Sequence, residues 1–343
     1  MKKVNIFNLD KTPVENIDFS TPCVFFIGGA TGGAQYLRVV SNNKIDTMLR
    51  NLGINANVYI NVYDLSLLGD GFEKFTNKIH KVFSLKDKKR TVFFFQVLMP
   101  LFFTHYVENL FDTMILPRII DENGAPLPVD VAKDNLRKIV FYTHCYGNRV
   151  VNRFDKMLNK KLAELNYSPS QVAEIQKQLV FLSQSPSFVF NKLKSTYLNF
   201  LSMADAAMLY KHLYSTQDTI TYFEKYHIVS IPKFYTNSDK YGKITNQEHK
   251  LWPLVETPSM TDDGKTMVQI MERAFYNALT LPRVDTTESL LDNKQFDTDI
   301  TVKPWLRTLE HIPTQRLKNL FFSSVSISNR WKDVMMLKIM RMR

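Results

Sequence analysis

The stretch Lys-Ile-Val-Phe-Tyr-Thr-His-Cys-Tyr-Gly-Asn-Arg-Val-Val-Asn-Arg-Phe-Asp at 138–155 puts a thiol where two local structures meet. Ile139, Val140, Phe141 and Tyr142 are strand-forming apolar residues. Directly after Thr143-His144-Cys145-Tyr146-Gly147, the apolar residues Val150, Val151, Phe154, Met157 and Leu158 recur at helical spacing. A strand that turns sharply into a helix exposes its turn residue at the sheet edge, beside helix N–H groups. Those N–H groups favour thiolate over thiol, so Cys145 there is predicted to be a nucleophile. The competing reading is a buried small hydrophobe at a strand end, a common place for cysteine.

Two further segments carry candidate chemistry. Gly28-Gly29-Ala30-Thr31-Gly32-Gly33 follows the apolar run Cys23–Ile27, and glycines there let backbone N–H groups approach a ligand closely. The loop lacks Gly-x-Gly-x-x-Gly spacing and no Gly-Lys-Ser/Thr follows, which excludes a P-loop. A phosphate-binding turn and a plain turn both stay open. Late in the chain, the apolar run His227–Phe234 leads to Asn237-Ser238-Asp239.

The elements that must position these residues are legible as alternation. Strands are predicted at Cys23–Ile27, Asn57–Tyr63, Thr91–Val97, Lys138–Thr143, Gln178–Leu182 and His227–Phe234. Helices are predicted at Ala34–Leu52, Gly71–Phe83, Val107–Ile120, Val129–Leu136 and Asn148–Leu165. Alternating strands and helices indicate an α/β fold, a mostly parallel sheet with helices on both faces. Residues 186–226 read as helices, Phe188–Leu201 and Ala204–Tyr214, forming an aromatic-rich cap. The uncharged run Thr91–Val107 is divided by Pro100 and is shorter than the roughly 20 apolar residues of a membrane span, so it reads as a buried strand and loop.

Composition narrows the class. A 45% apolar content with 25 phenylalanines in 343 residues supports a large packed core. Two cysteines, Cys23 and Cys145, exclude a disulfide scaffold and a multi-cysteine zinc site, so no metal and no cofactor is expected. They suit a reducing, cytoplasmic setting, and the N-terminus lacks the apolar run of a secretory signal. The net charge of +11 is spread over helical faces such as Lys156, Lys160 and Lys161 rather than concentrated in an Arg-rich block, so nucleic acid is not the expected partner. The basic, methionine-rich 331–343 segment reads as a terminal helix, packed or contacting a membrane surface.

The Thr143-His144-Cys145-Tyr146-Gly147 turn resembles the nucleophile elbow of the α/β-hydrolase superfamily, with cysteine in place of the usual serine and threonine in place of the usual first glycine. The resemblance implies a three-layer core over 1–283, including the 186–226 cap, with 284–343 as an extension. It implies an oxyanion hole from Gly28, Gly29 and the Tyr146 N–H, and Asp239 as the acid. The base is then His311 or His249, of which His311 is favoured. His144, on the preceding strand residue, would point away from Cys145. The implied activity is hydrolysis or transfer of an ester, thioester or amide, with an apolar acyl or lipid-like substrate suggested by the aromatic cap. A catalytically silent scaffold that binds a protein or an anionic surface, and a phosphate ligand at Gly28–Gly33, are the other readings.

Overall fold

The computed structural model describes residues 6–29, 40, 43–61, 99–186, 193–202, 228–231, 251, 254, 262–281 and 290. Seven strands, β1 (Ile6–Asn8), β2 (Cys23–Ile27), β3 (Asn57–Asn61), β4 (Ile139–His144), β5 (Val180–Gln184), β6 (Thr196–Ser202) and β7 (Ile228–Ile231), form one sheet in the order β1-β3-β2-β4-β5-β6-β7. β2 to β7 are parallel, and β1 pairs antiparallel with β3 at the edge. The helices are α1 (Ile45–Asn51), α2 (Met99–Met114), α3 (Val129–Arg137), α4 (Arg149–Glu164), α5 (Pro169–Gln176) and α6 (Asp262–Thr280). This is the predicted α/β arrangement.

Side chains alternate across the strands, so each strand feeds two cores. Val24, Phe26, Val140, Tyr142, Val180, Leu182, Leu198 and Phe200 pack with α1 and α6. Phe25, Ile27, Phe141, Phe181 and Tyr197 face α2, α3, α4 and α5. Phe25, Phe141 and Phe181 stand at equivalent positions on three adjacent strands. Phe141 lies 5.6 Å from Phe25 and 5.4 Å from Phe181, and Phe154 of α4 meets it edge-on at 5.3 Å. These contacts set α4 down on the centre of the sheet.

Two predicted elements are corrected. Residues 99–107 are not strand or loop: α2 starts at Met99, eight residues before the predicted helix start. Pro100 is its second residue, and a proline in the first turn loses no helical hydrogen bond. The helix predicted over Phe188–Leu201 gives way to β6 at Thr196–Ser202. In Thr-Tyr-Leu-Asn-Phe-Leu-Ser, residues 196–200 are all buried, on both faces of the strand, so the segment lacks the apolar–polar alternation that would distinguish it from a buried helix. β4 and β5 each extend past their predicted ends, to His144 and Gln184. The predicted strand Thr91–Val97, the helices Gly71–Phe83 and Ala204–Tyr214, and the 284–343 extension except Leu290 lie outside the described residues. No helix among the described residues is long and apolar enough to cross a membrane.

Asp155, buried on α4, anchors the return from β5 to β6. Its Oδ1 accepts from the Lys194 N–H at 3.0 Å, the Ser195 N–H at 2.7 Å and the Gln176 side-chain amide at 2.8 Å. Asp155→Ala strands the Lys194 and Ser195 N–H groups, while the Gln176 amide keeps its bond to the residue-155 carbonyl. It should lower unfolding free energy by about 2–3 kcal/mol in a urea titration.

Candidate active site

β4 ends at His144, a short 3-10 turn covers Cys145–Asn148, and α4 starts at Arg149. Cys145 has φ 53°, the left-handed region that costs a non-glycine residue free energy. A strand can deliver its chain into a helix within so few residues only through such a reversal, and the reversal lifts the thiol out of the sheet. Cys145 is partly exposed, whereas Cys23 is fully buried, and neither is in a disulfide.

Gly147 explains the spacing. A Cβ built there would sit 2.4 Å from the carbonyl oxygens of both Ile27 and Gly28. Any side chain would collide with backbone, so glycine alone lets the first turn of α4 lie against the end of β2. The same contact places the start of the glycine loop beside the thiol turn, as the pairing of Ile27 with Thr143 requires. Gly28 presents its carbonyl towards Gly147, so Gly28 and Gly29 are buried at the turn. Tyr146 lies in the first helical turn, where N–H groups have no partner within the helix.

Thr143 makes a specific contact at the end of β4. Its hydroxyl is 2.8 Å from that of Ser183, its register partner on β5, and both are buried. The opposite face holds a second polar pair, in which the Tyr142 hydroxyl donates to the Gln184 side-chain carbonyl. His144 follows Tyr142 by two residues on that α6-facing side, while Cys145 packs at the margin of the other core.

The thiol turn also occupies a special place in the topology. From β2 the chain returns to β3 on one side, and from β4 it returns to β5 on the other. The first crossover contains α1 and the second α4 and α5, on opposite sheet faces. Between β2 and β4 the connections diverge, and open α/β sheets form their ligand crevice at the carboxyl ends of such strands. Gly28, Gly29 and Cys145 are the residues that rim this position.

Asp239, His249 and His311 lie outside the described residues. Asp239 is eight positions beyond the end of β7, and β7 is three strands from β4, about 14 Å across the sheet. Among the described residues no group of three metal-ligating side chains occurs. A separate cleft of about 450 Å³ lies between α2 and α4, walled by Glu108, Asp112, Arg153, Lys156 and Lys160. Arg153 and Glu108 bridge it at 2.8 Å. It starts a turn beyond the thiol and does not include it.

What sequence reasoning missed is Ser183, Gln184 and Ser185. Their only signal is a polar Ser-Gln-Ser run ending an apolar strand.

Cys23 begins β2 at the amino edge, 3.5 Å from the Arg118 guanidinium, and burial pushes its thiol up to about 11. Only Cys145 should therefore react with a maleimide in the native protein, and denaturant should release the second thiol, as mass spectrometry will read. Gly147→Ala should cost about 2–3 kcal/mol in chemical unfolding, because two carbonyls must move. Compared with known proteins, the chain matches no family model and none of the curated proteins.

Proposed function

We propose that the protein is an acyl hydrolase or acyltransferase in which Cys145 is the nucleophile, with the layout of the α/β-hydrolase superfamily. The observation that carries this is the left-handed, partly exposed Cys145 at the carboxyl end of a central parallel strand, at the head of a 16-residue helix. Supporting it are the glycine at 147 that the close approach to β2 demands, and the buried Gly28 and Gly29 that follow the adjacent strand.

In this mechanism the Cys145 thiolate attacks an acyl carbon of an ester, thioester or amide. The carbonyl π electrons move onto oxygen, and N–H groups of Tyr146 and of the Gly28–Gly29 segment stabilise that oxyanion. Its collapse expels an alcohol, thiol or amine, which takes up a proton from the base. Water or another acceptor then attacks the acyl-enzyme and regenerates the thiolate. Asp239 as the orienting acid and His311, or His249, as the base complete the proposal. An apolar acyl chain is the proposed substrate class.

A β-lactone probe should acylate wild-type protein at Cys145 and leave Cys145→Ala unlabelled. Turnover of a thioester series should fall by about 10²- to 10⁴-fold when the true base is replaced by alanine, which separates His311 from His249. Absence of labelling, with no ester or thioester turned over, would defeat the enzyme reading. It would leave the scaffold, whose signature is salt-sensitive binding to anionic vesicles or a protein partner that survives Cys145→Ala.

A further inference from the structure

Cys145 is not the only residue bent into the left-handed region at this edge. Ser185 has φ 44° and is fully buried. Because His144 pairs with Gln184, Cys145 and Ser185 are the next residues on two adjacent parallel strands. Two neighbouring strands thus leave the sheet through the same unfavourable backbone reversal. A non-glycine residue stays there only where its surroundings over-determine it. On the β2 side that restraint is Gly147 lodged against Ile27 and Gly28. On the β5 side the Thr143 and Ser183 hydroxyls meet at 2.8 Å, and the Ser185 N–H bonds to the Phe200 carbonyl of β6 at 2.8 Å.

We infer that Ser183, through its hydroxyl bond to Thr143, is the positioning residue that holds the Cys145 thiol at the N-terminus of α4. This rests on Cys145 being the reactive group proposed above. The direction of the effect follows from the geometry. Thr143 is two residues before the reversal, on the face towards α4, and Ser183 is fixed in turn by β5 and by the Ser185–Phe200 bond. Pinning Thr143 to β5 while Gly147 is pinned to β2 leaves Cys145 and Tyr146 few alternative conformations. Cutting the β5 pin frees the end of β4 to shift beneath the reversal, which Gly147 and the aromatic seat of α4 keep in place. The sulfur then moves away from the helix N–H groups that favour its thiolate. Threonine in place of the usual glycine is thereby a functional choice: it supplies the hydroxyl that glycine lacks.

The test is the rate of Cys145 alkylation by iodoacetamide in the full chain, followed by peptide mass spectrometry between about pH 6 and pH 10, with Cys145→Ala as the blank. Thr143→Val and Ser183→Ala should each move the midpoint of the profile up by about one pH unit and slow alkylation near neutrality by about tenfold. Thr143→Ser, which keeps the hydroxyl, should stay within about twofold of wild type. Tyr142→Phe removes the polar pair on the opposite face. It should reduce stability while leaving the Cys145 profile in place. Profiles for Thr143→Val and Ser183→Ala that overlie wild type would overturn the inference. So would an equal shift in Tyr142→Phe, which would mean general loosening. If Thr143→Val does not fold, Ser183→Ala against Ser183→Thr decides the same question. Alkylation needs no acyl transfer, so these shifts without any acyl labelling keep this inference and defeat the proposed reaction. Acyl labelling with unshifted variants does the reverse, and a wild-type Cys145 inert to both reagents defeats both.

Discussion

The close approach of Gly147 to the end of β2 is the contact on which the rest of this edge depends. Two backbone carbonyls occupy the space where a Cβ would be, each 2.4 Å from its ideal position. Backbone cannot step aside as a flexible side chain can, so residue 147 is glycine or α4 is displaced. With the turn into α4 seated against Ile27 and Gly28, the short chain between His144 and Gly147 takes a reversal at Cys145. One missing side chain thereby fixes the helix, the loop and the thiol relative to one another.

The reversal is unfavourable, and the packing beneath it explains why it persists. A residue in such a backbone region costs on the order of 1–3 kcal/mol. Phe141, Phe154 and Phe181 are fully buried against one another, and each contributes about 1.5–3 kcal/mol by burial and more through ring geometry. Phe154 is the sixth residue of α4 and Phe141 the third of β4, so this cluster grips both arms of the turn. Relaxing Cys145 would shift α4 off its aromatic seat, which costs more than the strain.

How much of this was legible in the sequence depends on the range of the interaction. Cys23–Ile27 is recovered in full and α4 to within a residue at each end, because a β-branched and aromatic run or a helical apolar period is written locally. The closing glycine was legible for the same reason. β6 was not, since its residues 196–200 are buried on both faces and carry no alternation. Nor was the start of α2, where Pro100 reads as a divider until its place in the first turn is known. Within the site, nothing local marks Cys145 as left-handed, because neither glycine nor asparagine occupies the position. The partner that justifies Thr143 is Ser183, 40 residues away, and only the strand register joins them.

The two cysteines show how the fold, rather than the residue, decides the chemistry. Parallel strands gather all their starts at one edge and all their ends at the other. Cys23 opens β2 at the amino edge, enclosed by the core and by Arg118, whose guanidinium also donates to the carbonyls of Met114 and Asn135. Even with that cation beside it, burial dominates and the thiol stays protonated at neutral pH. Cys145 follows β4 at the carboxyl edge, where the crossovers from β2 and β4 part to opposite faces, the place at which open α/β sheets form their ligand crevice. There a thiol sits in a left-handed turn ahead of α4 and is partly exposed. The same side chain is fully buried at one edge and partly exposed at the other. The difference is carried by strand direction and by the order in which the strands return to the sheet.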